Sequence, residues 1–278
     1  MRITIIKCTF FLLLLSCCAV AVQAAPTSDV YVVKFAEDGE TILDEITVDY
    51  AWMEANLPVH GDGVTHYYHQ GPVFVDDPEG RWDVNETTNF KDHGAVKGTD
   101  IRDLCDLVGG MEPGDEVMVH AGDGYHVQFA YENVYDPDPR QGPIVLTWCN
   151  GEDAEIGERQ GVGYPPEFYA GMRLVFFADN STNAEGLHVF GNNDMRETMP
   201  EAAVHFYEIY PSTNGYTVKW VDEIRVYAGG YGGATDVPVK SLSAEETDAP
   251  STPLSSFTVL VALGCAAGAV ALLRGRGR

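Results

Sequence analysis

The sequence predicts a β-rich α+β fold, and three patterns predict it. Short runs alternate apolar and polar residues, turn chemistry separates them, and only one stretch has clear helical spacing. The alternation begins at Val30 to Ala36 and resumes at Thr41 to Val48. Between them, Glu37-Asp38-Gly39-Glu40 reads as a turn, so the pair is expected to be a β-hairpin. Tyr50 to Leu57 reads as a short helix ended by Pro58. A long stretch rich in Gly, His, Pro and Asp follows, Val59 to Gly98, with only short strand-like pieces such as Pro72 to Val75.

From Thr99 the pattern sharpens. Ile101, Leu104, Cys105 and Val108 fall at i, i+3, i+4 and i+7, which puts them on one face of a helix. Thr99 is its expected cap and Gly109-Gly110 its stop. Strands are expected at Glu116 to His120 and Tyr125 to Ala130, around the turn Gly122-Asp123-Gly124. Further strands are expected at Ile144 to Trp148, Arg173 to Phe177 and Val218 to Tyr227. Strands with one helix give the α+β class, and no repeat of fixed period is present.

The two ends point to export and anchoring. Arg2 and Lys7 precede an apolar run from Phe10 to Leu15, and the small-residue pattern Val22-Gln23-Ala24 follows, so residues 1–24 are expected to be a signal peptide. Leu14-Leu15-Ser16-Cys17 loosely resembles a lipobox, which leaves a lipoprotein signal as the second reading; no Arg-Arg pair precedes the run. Phe257 to Leu273 carries no charge and is followed by Arg274, Arg276 and Arg278, the pattern of a single membrane anchor with its basic side inside. Residues 241–253, rich in Ser, Thr, Glu, Asp, Ala and Pro, read as a stalk. The division expected is thus 1–24 signal, 25–89 hairpin and histidine-rich region, 90–240 main domain, 241–253 stalk and 254–278 anchor or sorting tail.

Charge narrows the partners. The chain carries a net charge of −25, and all 42 Asp and Glu lie between the signal and the tail. Such a surface repels nucleic-acid phosphates, so no nucleic acid is expected as partner; the membrane, other surface components or a small ligand are. Two sequons, Asn85-Glu86-Thr87 and Asn180-Ser181-Thr182, make Asn85 and Asn180 candidate glycosylation sites in an exported chain. Of six cysteines, only Cys105 and Cys149 lie in the ectodomain, and a disulfide between them and buried core thiols are both open.

The most suggestive local chemistry is His60, His66 and His69, with Tyr67 and Tyr68 between the last two. Three imidazoles outside the cytoplasm suit copper or zinc, and His93 or Asp62 could complete the set. The competing reading is a solvated loop of ordinary hydrogen bonds. His120 and His126 are expected to pack on strands. Asp76-Asp77, Asp136-Pro137-Asp138 and Asn192-Asn193-Asp194 are expected to be solvated turns, since none has the spacing of an EF-hand loop. No Gly-x-Ser-x-Gly, His-Glu-x-x-His or phosphate loop is present.

Five pieces in order resemble the molybdopterin-binding domain of the sulfite oxidase family. They are Gly98-Thr99-Asp100-Ile101-Arg102-Asp103-Leu104, Glu116 to Tyr125 with its Asp123-Gly124-Tyr125 turn, Asn150-Gly151, Gly171-Met172-Arg173-Leu174-Val175, and Val218-Lys219-Trp220-Val221-Asp222-Glu223-Ile224. They span roughly residues 90 to 227, and the tail resembles archaeal surface-sorting tails of the kind found in methanogens. The resemblance implies a pterin-bound molybdenum held by a cysteine thiolate from a loop upstream of the first piece. Residues 25–104 contain no cysteine, and basic residues that would hold a pterin phosphate are few. The expectation is therefore a surface-anchored binding or envelope-structural protein on an inherited fold, with no cofactor. The alternatives are an oxidoreductase using molybdopterin or a histidine-bound metal, and a surface adhesion module.

Overall fold

A computed structural model describes residues 26–232; the expected signal peptide, stalk and anchor lie outside them. Among the described residues, no helix is long and apolar enough to cross a membrane. The fold is β-rich α+β. The hairpin forms as expected, β1 (Asp29–Phe35) with β2 (Ile42–Asp49), closed by an Asp38 carboxylate that accepts from the Glu40 and Thr41 amides. Asp49 then caps α1 (Tyr50–Asn56) by accepting from the Trp52 amide at 2.7 Å.

The histidine-rich stretch is more ordered than its composition predicts. It contributes β3 (Tyr67–Gln70), β4 (Phe90–Asp92) and β5 (Val96–Asp100), whereas Pro72 to Val75 forms no strand. Helix α2 (Ile101–Asp106) starts later than expected. Thr99 belongs to β5, and Asp100 is the cap, its carboxylate accepting from the Arg102 amide. The apolar face is as read: Ile101, Leu104, Cys105 and Val108 are all buried. Gly110, at φ +70°, turns the chain out of the helix and donates back to the Cys105 carbonyl.

The remaining elements are β6 (Glu116–Ala121), β7 (His126–Ala130), α3 (Tyr131–Tyr135), β8 (Ile144–Asn150), β9 (Arg173–Phe176), β10 (His188–Phe190), α4 (Asn192–Thr198), β11 (Phe206–Tyr207), β12 (Tyr210–Pro211) and β13 (Val221–Tyr227). The principal sheet has the order β2-β1-β13-β6-β7. Its central strand β13 lies parallel to β1 and antiparallel to β6, so the N-terminal hairpin and the last strand share one sheet. Strand β1 is buried on nearly every residue because it is covered on both faces, whereas β2 lies at the edge and carries exposed Asp44 and Glu45. A second sheet, β5-β8-β9, is buried throughout β8; a third has the order β10-β3-β4, and β11 pairs with β12 in a small two-stranded sheet.

The main apolar core has Trp148, Phe129, Phe176 and Phe190 among its largest buried side chains, and a smaller cluster gathers Val96, Val145, Phe168, Ala170, Val175 and Phe177. Phe176 stacks on Phe190 at 4.6 Å and meets Phe129 edge-on at 5.5 Å. The third sheet thereby carries polar side chains into a mostly apolar interior.

Candidate functional site

His69, inward-facing on β3, is fully buried. Its Nδ1 lies 3.0 Å from the Thr213 carbonyl, and its Nε2 accepts from the Phe176 amide at 3.1 Å. Those partners fix a neutral ring with the proton on Nδ1. Burial drives its pKa down to about 3, with Arg173 adding to the fall and the Thr213 carbonyl opposing it. The chain's one exit from β4 places His93 against it, ring edge to ring face, with centroids 4.9 Å apart. His93 is buried, and neither of its ring nitrogens has a hydrogen-bond partner. Burial, then the positive charge of Arg173, with smaller contributions from His69 and Lys219, holds its pKa well below the ordinary imidazole range.

Arg173 begins β9 and is 4% exposed. Its guanidinium donates to Gln160 Oε1 at 3.0 Å and to Thr217 Oγ1 at 2.8 Å, both neutral, while Nε has no partner. No carboxylate lies within ion-pair distance of it among the described residues. Burial pulls its pKa down to about 10, with Glu158 opposing. A buried charge without a counter-charge costs several kcal/mol or so relative to a paired one.

Arg173 lines a pocket of about 300 Å³ together with Tyr125, Asn214, Thr217, Lys219 and Trp220. Asp123 and Glu158 also line it, and Glu158 is taken up by an ion pair with Lys219. Trp220 sits at φ +54°, a left-handed conformation that costs an aromatic residue roughly 1–3 kcal/mol. Its indole donates to the Tyr169 carbonyl at 3.1 Å, and Gly171 makes room for the ring: a Cβ there would come within 2.7 Å of Trp220 Cδ1. A larger groove of about 450 Å³ runs along β7 opposite residues 200–206, but Arg173 and His93 do not line it. The smaller pocket is therefore where recognition chemistry concentrates.

The three histidines singled out in the sequence are held by separate partners. His60 Nε2 lies 4.0 Å from Asp103 Oδ2. His66 Nδ1 lies 2.9 Å from the buried Asp92 carboxylate, with Glu152 at 3.7 Å from its Nε2. His69 faces the core as described. Among the described residues, no group of three or more His, Cys, Asp or Glu is placed to hold a metal ion. His93, considered only as a fourth member, is the one that meets His69. The polar chain linking the two regions is Gln160, which donates to the Asp92 carbonyl and accepts from Arg173.

Cys105 and Cys149 are free, buried thiols, and neither lines the pocket. Burial raises the pKa of both. A molybdenum centre of the kind the resemblance implies needs a thiolate donor, and these residues do not fit it. Asn85 and Asn180 are both exposed. Asn192-Asn193-Asp194 is not a solvated turn: it opens α4, with Asn192 and Asp194 buried. Sequence reading passed over Arg173 as a site because it was one letter in a strand match; the missing signal is that no acid pairs with it in space. Compared with known proteins, the chain matches no family model and no curated protein.

Proposed function

We propose that this chain is an extracytoplasmic, surface-anchored binding module on a sulfite-oxidase-type, molybdopterin-domain-like fold, without metal catalysis. Its ligand seat is the pocket over Arg173, and the ligand is a small anion. The observation that carries this reading is the buried guanidinium without a carboxylate, beside an imidazole whose two nitrogens are unsatisfied. An incoming oxyanion would supply the counter-charge that Arg173 lacks, and Lys219 would exchange its ion pair with Glu158 for one with the ligand. Trp220 and Tyr125 provide flat apolar surface for the rest of a small molecule.

The test is calorimetric titration of the full chain with inorganic phosphate and sulfate, alongside elemental analysis of protein taken from its own membranes. Saturable binding that is lost in Arg173→Met supports the reading. Molybdenum at about one per chain would overturn the non-catalytic part of it, and equal binding by wild type and Arg173→Met would overturn the seat.

A further inference from the structure

A second polar cluster lies away from the pocket. Glu86, 1% exposed, and Asp194, fully buried, bring their carboxyl groups together where four segments meet. Glu86 stands at φ +50° in the loop before β4, and its carbonyl accepts from Asn183 Nδ2 at 2.9 Å. Thr182 Oγ1 lies 2.9 Å from Glu86 Oε1 and 3.4 Å from Asp194 Oδ2. Asp194, in the first turn of α4, accepts from the Gly191 amide and pairs with Arg140 from the turn before β8. A Cβ at Gly191 would lie 2.4 Å from Glu86 Oε1, so any side chain there would push the Glu86 carboxyl out of this place.

Arg140 compensates one of the two carboxylate charges, and among the described residues no second cation lies within ion-pair distance of either carboxylate. The Thr182 hydroxyl has one proton to give, so Glu86 Oε2 is left without a donor. Two ionised carboxylates in this position would repel each other in a dry surrounding, and a single shared proton removes both problems. We propose that Glu86 and Asp194 share one proton in the folded protein, and that this proton latches the loops 83–89 and 179–187 to the start of α4. Loss of the proton in alkaline medium releases the latch.

The electrostatics agree in sign. Burial, then the hydrogen bond and the charge of Asp194, push the Glu86 carboxyl up to about 9, with Thr182 and Arg140 opposing. The folded state therefore holds a proton that the unfolded chain has already lost above the ordinary carboxyl range. Stability from this group is complete in acid and declines as pH rises toward about 9.

The experiment is denaturant unfolding of the full chain and of Glu86→Gln from about pH 6 to about pH 9, with and without calcium. The amide keeps a donor toward Asp194 but cannot titrate. The folding constant of wild type is expected to fall up to about tenfold per pH unit relative to the variant. Parallel curves would overturn the latch, and so would calcium-dependent stabilisation lost in Glu86→Gln, which would assign the site to a cation. An infrared carbonyl band from a protonated carboxyl at neutral pH, in wild type alone, is the readout should the variant not fold; its absence would also overturn the proposal.

Discussion

Two of the buried charged clusters are unbalanced in opposite senses. Around Arg173 a cation sits among neutral partners, with two uncharged histidines behind it and an open pocket in front. Around Glu86 and Asp194, two acids share one arginine, and that cluster lines neither of the two pockets described. A closed site must reach neutrality with what the chain and solvent protons provide. An open one can leave the task to a ligand. One link between the two runs through neutral groups: Asn192 in α4 accepts from the Thr213 amide at 3.1 Å, and the turn after Thr213 lines the pocket.

The largest effect that would sharpen this contrast is expected from Asp194→Ala. It strands Arg140 and removes the acceptor at the start of α4, so unfolding free energy is expected to fall by about 3–5 kcal/mol. Denaturant titration at neutral pH measures it. A loss under about 1 kcal/mol would mean that the pair is not structural, and would remove one side of the comparison.

Arg173→Met should move the other way. Methionine has similar length, needs no counter-charge and leaves Gln160 and Thr217 free to find other partners. With no anion present, the variant is expected to be as stable as wild type or up to about 1–4 kcal/mol more stable. With phosphate or sulfate in excess, the order should reverse, because only wild type gains the linkage term from binding. Destabilisation of several kcal/mol in anion-free buffer would show that the guanidinium is a structural hub, not a ligand seat.

How much of this was legible in the sequence differs between levels. The hairpin and the strands β6 and β7 followed from alternation and turn residues and α2 from its apolar face, whereas β8 and β9, buried on every residue, were legible only as runs of strand-forming residues. The cap at Asp100 was missed by one residue since Thr99 and Asp100 are both good caps and both pair in β5, and only the Asp100 carboxylate reaching the Arg102 amide decides between them. Strands β3 and β4 were hidden because Tyr67-Tyr68-His69-Gln70 buries polar side chains that composition assigns to solvent. Of the two clusters, neither was visible. Glu86 lies inside a sequon and Asp194 inside an Asn-Asn-Asp run, and both patterns suggest exposure. Their burial depends on contacts about a hundred residues apart, Thr182 with Glu86 among them, which local spacing does not encode.

The acid limb of the stability curve tests the basic side of the comparison. His69 and His93 are neutral in the folded state because burial holds both pKa values down. The unfolded chain takes up their protons below about pH 6.5, so stability falls as pH drops through that point. Each histidine contributes a slope of up to about 1.4 kcal/mol per pH unit. Glu86 works in the opposite direction from the ordinary carboxyl range upward, so its slope partly cancels theirs in mild acid and, of these three groups, is the one that continues above about pH 6.5. His93→Phe keeps the ring volume, removes two unsatisfied nitrogens and deletes one titration. Its acid limb is expected to be shallower by about 1.4 kcal/mol per pH unit while its alkaline limb stays that of wild type. An unchanged acid limb would place a proton on His93 in the folded protein. Arg173 would then face a second buried cation, and the pocket's demand for an anion would be greater still.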